Sequence, residues 1–463
     1  MTNIHDVESL AATEVTRLRA TFATGRTLDL DWRFRQLDAL IRMLEEGEDA
    51  IATALASDLG RSPGDAFMGD VMPPLSEAKF AAKHLKRWVK PTRVSIPLAQ
   101  RPGKGWYEYE PLGVVFIIGP WNYPVHLVLA PLVGAIAAGN CAILKPSEHT
   151  PAAAQVLADL VPRYLDPDAF SVILGGAEAT QDVLAQGVDH AFFTGGPEIG
   201  KAIMAAAAPH LTPVTLELGG KCPAVVAADA DLGVAARRIA WTKLLNSGQT
   251  CVAPDYLLVD RAVKDRFVDL LKQTVADMSP TGDGGQAMPI VSRRHAERLA
   301  HLLEGHGGTV LHGGGAAPAD RAVDMTLVDE PRLDSPLMQE EIFGPILPIV
   351  SVDSVDDAIG RINQGPKPLA AYIFTRSQKL ARRYGKQVPA GSIVANHAAV
   401  QVLAPNLPFG GVGNSGMGAY HGKWGFEVFS HRKAYLSRSH RVDPAIIYPP
   451  YSEFTQKLMR KLF

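Results

Sequence analysis

Cysteine is scarce: the 463 residues hold three thiols, Cys141, Cys222 and Cys251. They lie far apart, and none has a Cys or His neighbour at zinc-ligand spacing, which excludes a zinc finger and a disulfide framework. An odd, small number of thiols fits a reducing compartment, and any cysteine chemistry must rest on a single sulfur. Charge of one sign is also lacking. The formal net charge is −2, so nothing points to nucleic acid or an anionic membrane as partner. Long hydrophobic runs are missing as well. The most apolar stretch, Val125 to Gly139, is interrupted by Pro131 and falls short of the roughly 20 residues a bilayer demands. The N-terminal segment carries Asp6, Glu8 and Glu14 without a long apolar core, so it does not read as a signal peptide. The C-terminal TQKLMRKLF mixes Lys and Arg with apolar residues; it is too short to span a membrane, and contact with a membrane or a partner subunit stays open. A soluble, cytoplasmic protein is expected. No metal constellation and no Ser-His-Asp arrangement stands out, and His421 sits alone in a Gly-rich loop.

What is present is an ordinary globular composition, 47% hydrophobic and 20% charged. A single core stops growing at about 250–300 residues, so two large domains are expected. The first ninety residues read as helices: Leu37, Leu40, Ile41 and Leu44 recur at helical spacing, and a second helix runs from about Glu77 to Val89, ended by Lys90-Pro91. Val94 to Tyr109 is broken by Pro and Gly and reads as an edge hairpin. Then buried strands alternate with helices. Val114–Ile118, Cys141–Leu144, Ser171–Leu174, His190–Phe193 and Val214–Leu218 are short apolar runs, with helices at Leu127–Ala138, from about Pro151 and from about Glu198. That pattern implies a parallel, doubly wound sheet, which binds ligands at the carboxyl ends of its strands. A second series begins near Pro223: strands at Ala224–Ala227, Tyr256–Val259, Ala370–Phe374 and Ile393–Ala395, helices at Leu232–Leu245, Val263–Met278 and Gln378–Tyr384, and a Gly-rich loop at Gly305–Gly315. The boundary between the two falls in the loop at Gly219-Gly220.

Several residues could carry chemistry. Cys251 ends Asn246-Ser247-Gly248-Gln249-Thr250-Cys251. Such small, polar surroundings leave backbone N–H groups free to lower a thiol pKa and to hold an oxyanion, although most cysteines are inert and buried. Glu217 closes an apolar strand; it is either solvated at the strand end, paired with a lysine such as Lys221, or a buried general base with a raised pKa. Asn122, in the rigid turn Pro120-Trp121-Asn122-Tyr123-Pro124, is an oxyanion donor or a routine turn residue. Lys145-Pro146-Ser147-Glu148 offers two groups for ribose hydroxyls, or a solvated ion pair. Thr194-Gly195-Gly196 and Gly200 follow a strand and open a helix, which allows close approach of a pyrophosphate to a helix N-terminus. Glu340-Glu341-Ile342-Phe343 could hold a ribose and pack a flat ring, or form an ordinary turn. A true GxGxxG, at Gly411, Gly413 and Gly416, has no strand before it and reads as a decoy in a flexible loop.

Seven segments in order resemble the aldehyde dehydrogenase superfamily over nearly the whole chain. They are Pro-Trp-Asn at Asn122, KPSE from Lys145, FTGG at Phe193–Gly196, ELGGK at Glu217–Lys221, GQTC ending at Cys251, EEIFGP from Glu340 and PFGG from Pro408. The ending, GNSGMGAYHGKWGFEVFSHRK with YPPY at Tyr448–Tyr451, is similar to the class 3 and coniferyl-aldehyde-type branch. Commoner classes carry a lysine in the helix after the Asn motif and an acid late in the PFGG loop; here stand Pro131 and Tyr420.

The resemblance implies a Rossmann-like cofactor domain from 1–92 and 112–218, with a return at about 413–433. It implies an α/β catalytic domain at 219–412, and a small β oligomerisation extension with the C-terminal tail at 93–111 and 434–463. It also implies NAD- or NADP-dependent oxidation of an aldehyde to an acid. Cys251 would attack the aldehyde, Asn122 and the Cys251 N–H would hold the oxyanion, and Glu217 would activate the water that hydrolyses the thioester. Thr194, Gly195, Gly196, Gly200 and Leu218 would line the dinucleotide, Lys145 and Glu148 the adenosine ribose, and Glu341 and Phe343 the nicotinamide half. Glu148 favours NAD over NADP, because a carboxylate repels a 2′-phosphate. The alternatives are an acylating enzyme that releases the thioester to coenzyme A or phosphate, and a non-catalytic relative. Tyr123 and Trp241 either wall an apolar tunnel for an aliphatic or aromatic aldehyde or belong to the core. A homodimer is implied.

Overall fold

A computed structural model describes residues 9–278, 288–443 and 448–462. The first eight residues, with the Asp6 and Glu8 of the N-terminal reading, and Phe463 of the tail lie outside them. Helices Leu10–Ala23, Leu30–Glu46, Glu48–Leu59 and Met72–Trp88 come first. Leu37, Leu40 and Leu44 are fully buried and Ile41 packs against the same core, as the spacing requires. The expected edge hairpin is β1 (Thr92–Val94) against β2 (Gly103–Pro111), antiparallel.

Next come β3 (Val114–Ile118), β4 (Cys141–Lys145), β5 (Phe170–Val172), β6 (His190–Thr194) and β7 (Val214–Glu217). β3, β4 and β6 are buried at every position, the signature of strands covered on both faces. The helix His126–Ala138 is buried at all positions and so is apolar on all sides. It ends at Gly139, whose φ of 93° is the left-handed conformation that a glycine cap accepts.

The second series holds β8 (Pro223–Val226), β9 (Tyr256–Asp260), β10 (Thr309–His312), β11 (Ala316–Ala317), β12 (Ala322–Val323), β13 (Thr326–Asp329), β14 (Ile346–Val352), β15 (Ala370–Phe374) and β16 (Ser392–Ala395). β17 (Gly416–Met417) and β18 (Ser430–Arg438) close the chain, followed by a helix at Glu453–Leu462. One sheet runs β17-β7-β6-β3-β4-β5, parallel except for β17. The other runs β10-β13-β14-β9-β8-β15-β16, parallel except for β10. A third, small sheet is β1-β2-β18. Both large sheets carry helices between parallel strands, which is the α/β architecture expected.

Two expectations need correction. The Gly305–Gly315 stretch is not all loop: Thr309–His312 is an edge strand, because Val310 lies opposite Val328 in an antiparallel register. The GxGxxG loop is no flexible excursion. Gly416 pairs with Glu217 in β7, and a Cβ on Gly411 would lie 1.9 Å from the Ser415 oxygen. Its glycines serve close backbone packing on the first sheet, away from any strand-to-helix phosphate turn. The sequence reading also passed over β13 and β14, the latter buried throughout. Pro348 stands inside β14, opposite Val328, and a proline in a strand pattern argues against a central strand. Among the described residues no helix is long and apolar enough to cross a membrane, and no group of three or more His, Cys, Asp or Glu side chains gathers as a metal site.

Candidate active site

The loop that delivers Cys251 leaves the helix Leu232–Leu244 through three successive left-handed residues: Asn246 and Ser247, both with φ 52°, and Gly248, with φ 70°. Such backbone costs free energy in non-glycine residues and persists where its surroundings over-determine it. Those surroundings are hydrogen bonds. Asn246 Nδ2 donates to the carbonyls of Asn122 (3.1 Å) and Gln249 (3.0 Å), and Ser247 Oγ donates to the Met288 carbonyl at 2.5 Å. Gln249 Nε2 donates to the Asn246 carbonyl at 3.0 Å, and Gln249 Oε1 accepts the Val291 N–H at 2.9 Å.

The turn at Asn122 follows β3 and meets this loop edge to edge. Asn122 is buried, and its Nδ2 donates to the Gln249 carbonyl at 3.1 Å. A primary amide carries two N–H groups, so one hydrogen orients the side chain and the other is free for a ligand. The Tyr123 hydroxyl lies 2.9 Å from Thr250 Oγ1. Residues 127 positions apart are thus tied directly beside Cys251.

Burial pushes the Cys251 thiol up to about 12, and the carboxyls of Glu341 and Glu217 push the same way. The N–H groups of Cys251 and Val252 face the sulfur and pull its pKa down. Glu217 ends β7 at 3% exposure, and both its carboxyl oxygens are buried without a partner. It is therefore neither solvated at the strand end nor paired with Lys221. Burial alone holds its carboxyl well above the usual range. Its Oε1 abuts Gly410, where a Cβ would sit only 3.0 Å away.

Lys221 instead forms an ion pair with Asp255 and donates to the carbonyls of Leu337 (3.0 Å) and Glu340 (2.7 Å). Asp255 Oδ1 accepts the Ile342 N–H at 2.8 Å, and Arg298 donates to the carbonyls of Glu341 (3.2 Å) and Ile342. These contacts carry the Glu340–Phe343 segment over the Gly219-Gly220 loop, where a Cβ on Gly219 would clash with the Glu341 carboxyl at 2.3 Å. Burial raises Glu341 to about 7, the Gly220 N–H opposing. Phe343, itself at φ 50°, meets Trp121 edge-on at 5.3 Å.

The remaining expected residues sit at the carboxyl ends of β4 and β6. Lys145 Nζ donates to Glu148 at 3.1 Å, so this carboxylate is paired with its neighbour rather than standing alone. Thr194 Oγ1 is buried without a partner, and the following helix, Pro197–Ala207, has no side-chain cap at Gly196. A Cβ on Gly196 would meet nothing within 4 Å, whereas one on Gly200 would touch Leu218 at 3.0 Å. An orphaned hydroxyl beside an open, uncapped helix N-terminus fits a phosphate-bearing dinucleotide. Gly195 lacks a Cβ for a different reason: the Phe193 ring would be 2.4 Å from it.

Two expected residues part company. Tyr123 is buried in the tie just described, while Trp241 is 39% exposed on the helix leading to Cys251, edge-on to His397 at 6.1 Å. Sequence reasoning missed Lys243 altogether. It is fully buried, and burial lowers its ammonium to about 8, Asp255 opposing. A lysine set among Ala240, Trp241, Leu244 and Leu245 was the available signal. Asp255 and Arg298 gave none, since their partners lie far away in sequence.

Residues 6–435 match the profile described as the aldehyde dehydrogenase family. The dimeric NADP-preferring aldehyde dehydrogenase of Mus musculus is 45% identical over 443 residues, 94% of this chain and 97% of that protein. Aldehyde dehydrogenase family 3 member A2 of Rattus norvegicus is 45% identical over 95% of this chain and 91% of its own length. The solved substrate-bound state of Staphylococcus aureus AldH is 39% identical, with a TM-score of 0.93, covering 98% of this chain and all of that one.

Proposed function

The chain belongs to the aldehyde dehydrogenase family, and from that premise we propose a mechanism centred on Cys251. The enzyme oxidises an aldehyde with NAD or NADP; release to an acyl acceptor and a non-catalytic role are the weaker readings. The observation that carries the mechanism is Glu217: a fully buried carboxylate with both oxygens unpartnered, whose charge reaches the Cys251 sulfur. A carboxylate kept at such cost suits a base that takes a proton from water.

The Cys251 thiol gives up its proton to solvent and its sulfur attacks the aldehyde carbon, breaking the C=O π bond to leave a thiohemiacetal oxyanion. The free N–H of Asn122 and the Cys251 N–H stabilise the new oxyanion. When bound, the dinucleotide supplies the hydride acceptor. Thr194, Gly195, Gly196, Gly200 and Leu218 would line the dinucleotide, Lys145 and Glu148 its adenosine ribose, and Glu341 and Phe343 its nicotinamide half. The oxidised adduct is a thioester on Cys251. Glu217 takes a proton from water, the hydroxide adds to the thioester, and the acid departs as the thiol is regenerated. Burial raises both the Cys251 thiol and the Glu217 carboxyl, so the pH–rate profile is expected to rise with pH as these groups ionise, and a rate that falls as pH rises through neutrality would contradict it. The test is product analysis: stoichiometric carboxylic acid with no added coenzyme A or phosphate. A product formed only with those acceptors would replace hydrolysis by acyl transfer.

The ion pair with Lys145 sharpens the reading of cofactor choice. With its charge half-spent on Lys145, Glu148 disfavours a 2′-phosphate without forbidding it, so NAD is preferred and NADP accepted. Glu148→Gln is expected to raise the NADP:NAD ratio of kcat/KM by about tenfold, or about 1.4 kcal/mol of repulsion removed. An unchanged ratio would exclude Glu148 from the choice.

The exposed indole of Trp241 supports an apolar aliphatic or aromatic aldehyde, read out by reduced nicotinamide across a substrate panel. The same reading takes 1–92, 112–218 and 413–433 as the cofactor domain, 219–412 as the catalytic domain, and 93–111 with 434–463 as an extension for a cytoplasmic homodimer. Light scattering at the monomer mass would refute the dimer.

A further inference from the structure

Beneath the Asn122 turn lies an ion pair that the mechanism does not use. Arg61 and Asp70 are bonded to each other at 1% and 0% side-chain exposure. Asp70 stands in a π-helical turn, Phe67–Val71, the kind of local insertion that recurs at functional sites. A charge pair removed from water costs more than an apolar pair of the same size, so its contacts matter. Arg61 also donates to the Asn122 carbonyl, and its guanidinium lies 4.6 Å from the centre of the Tyr123 ring. Asp70 Oδ1 accepts the N–H groups of Val125 (2.9 Å) and His126 (3.0 Å), the cap and first residue of the helix His126–Ala138. The π turn itself touches the same segment: a Cβ on Gly69 would be 3.0 Å from the Tyr123 ring.

The pair therefore grips the chain at Asn122–Tyr123 and again just after it, at Val125 and His126. Asn246 donates to the same Asn122 carbonyl from the loop that carries Cys251. The side-chain amide of Asn122 then has one orientation, with one hydrogen on Gln249 and one free.

We propose that Arg61 and Asp70 are positioning residues that hold the Asn122 amide in register with Cys251, so that the pair acts on the transition state through Asn122. This rests on the reading of Asn122 as oxyanion donor. Removing one partner alone would strand a buried charge, so the test replaces both, as Arg61→Met with Asp70→Asn, which keeps a side-chain oxygen for the Val125 and His126 N–H groups. Expected is a fall in kcat/KM for aldehyde of about 10- to 100-fold, somewhat less than loss of an oxyanion donor itself. Cofactor affinity and the rate of Cys251 alkylation by iodoacetamide should stay within about twofold, which a merely structural role would not leave untouched.

The same double change made in an Asn122→Ala enzyme should cost less than about threefold, because coupled residues are non-additive. Equal losses in both backgrounds, or full activity of the neutral pair, overturn the proposal. If Asn122→Ala itself costs less than about threefold, the oxyanion reading has failed first, and the cycle shows that separately. Should the neutral pair not fold, Arg61→Lys decides. The guanidinium reaches Asp70 and the Asn122 carbonyl with two separate nitrogens, where lysine has one nitrogen on a stem of different shape, so the grip on Asn122 loosens while the pairing with Asp70 is kept; a loss of about three- to tenfold is expected, absorbed in the Asn122→Ala background. No loss in Arg61→Lys overturns the proposal.

Discussion

Cys251→Ala is expected to abolish aldehyde oxidation, with kcat/KM falling by at least about 10⁴-fold, the scale seen when a covalent nucleophile is removed. Cofactor affinity should stay within about threefold, since the groups expected to hold the dinucleotide sit at the ends of β4 and β6 and do not depend on the thiol. Fluorescence titration with reduced nicotinamide beside a steady-state assay separates the two quantities. The other two thiols are no substitutes. Cys141 is buried in β4, and Cys222, though its Sγ donates to the Cys251 carbonyl at 3.4 Å, is fully buried and pushed well up by that burial. Residual activity above about 1% of wild type would mean that another group attacks the aldehyde.

The second large effect belongs to Glu217→Gln. The amide keeps the size of the side chain but cannot take a proton from water, so kcat is expected to fall by about 10²- to 10⁴-fold, the range for a general base. The loss should fall on hydrolysis. Rapid mixing is expected to show a burst of reduced nicotinamide equal to the enzyme concentration, followed by a slow steady state, with acyl-enzyme visible by mass spectrometry. A loss with neither burst nor acyl-enzyme would place Glu217 before the thioester, as the base for the thiol. The same change should stabilise the fold. Glu217 has a raised folded-state pKa. Both states are protonated below about 4.5; above it the unfolded chain ionises while the folded one holds its proton, so stability contributed by the protonated carboxyl drains away as pH rises towards the folded pKa. Gln has no such dependence. The Tm of Glu217→Gln should therefore exceed that of wild type by a margin that opens between about pH 5 and neutrality, measured by calorimetry. A margin that is constant over that range would mean that the carboxyl is not held protonated by burial.

Much of the first sheet could be read from local pattern, because β3, β4 and β6 are buried on both faces and so appear as continuous apolar runs. The short motifs could be read too, since Asn122, Glu217 and Cys251 each lie in a segment whose glycines, prolines or strand end set them apart. β14 could not, because Pro348 spoils its pattern and only the parallel partners β13 and β9 make it a strand. The same holds for the GxGxxG loop, whose packing depends on β7 more than 190 positions away in sequence.

The sequence by itself determined the α/β class, the family and the candidate nucleophile, base and oxyanion donor, since each is written in contiguous residues. It left Glu217 open between a solvated end, a lysine pair and a buried base. Tertiary structure removed the first two by taking Lys221 to Asp255 and closing Gly410 over a carboxyl left without partners. It decided equally that Glu148 is paired with Lys145, that Trp241 is exposed, and that Arg61 and Asp70 lie under Asn122. The physical reason is common to all of these. A side chain's type is local, but its solvation and its partner are set by segments that meet only when the sheets assemble, and the chemistry of a carboxyl or a thiol follows from those two.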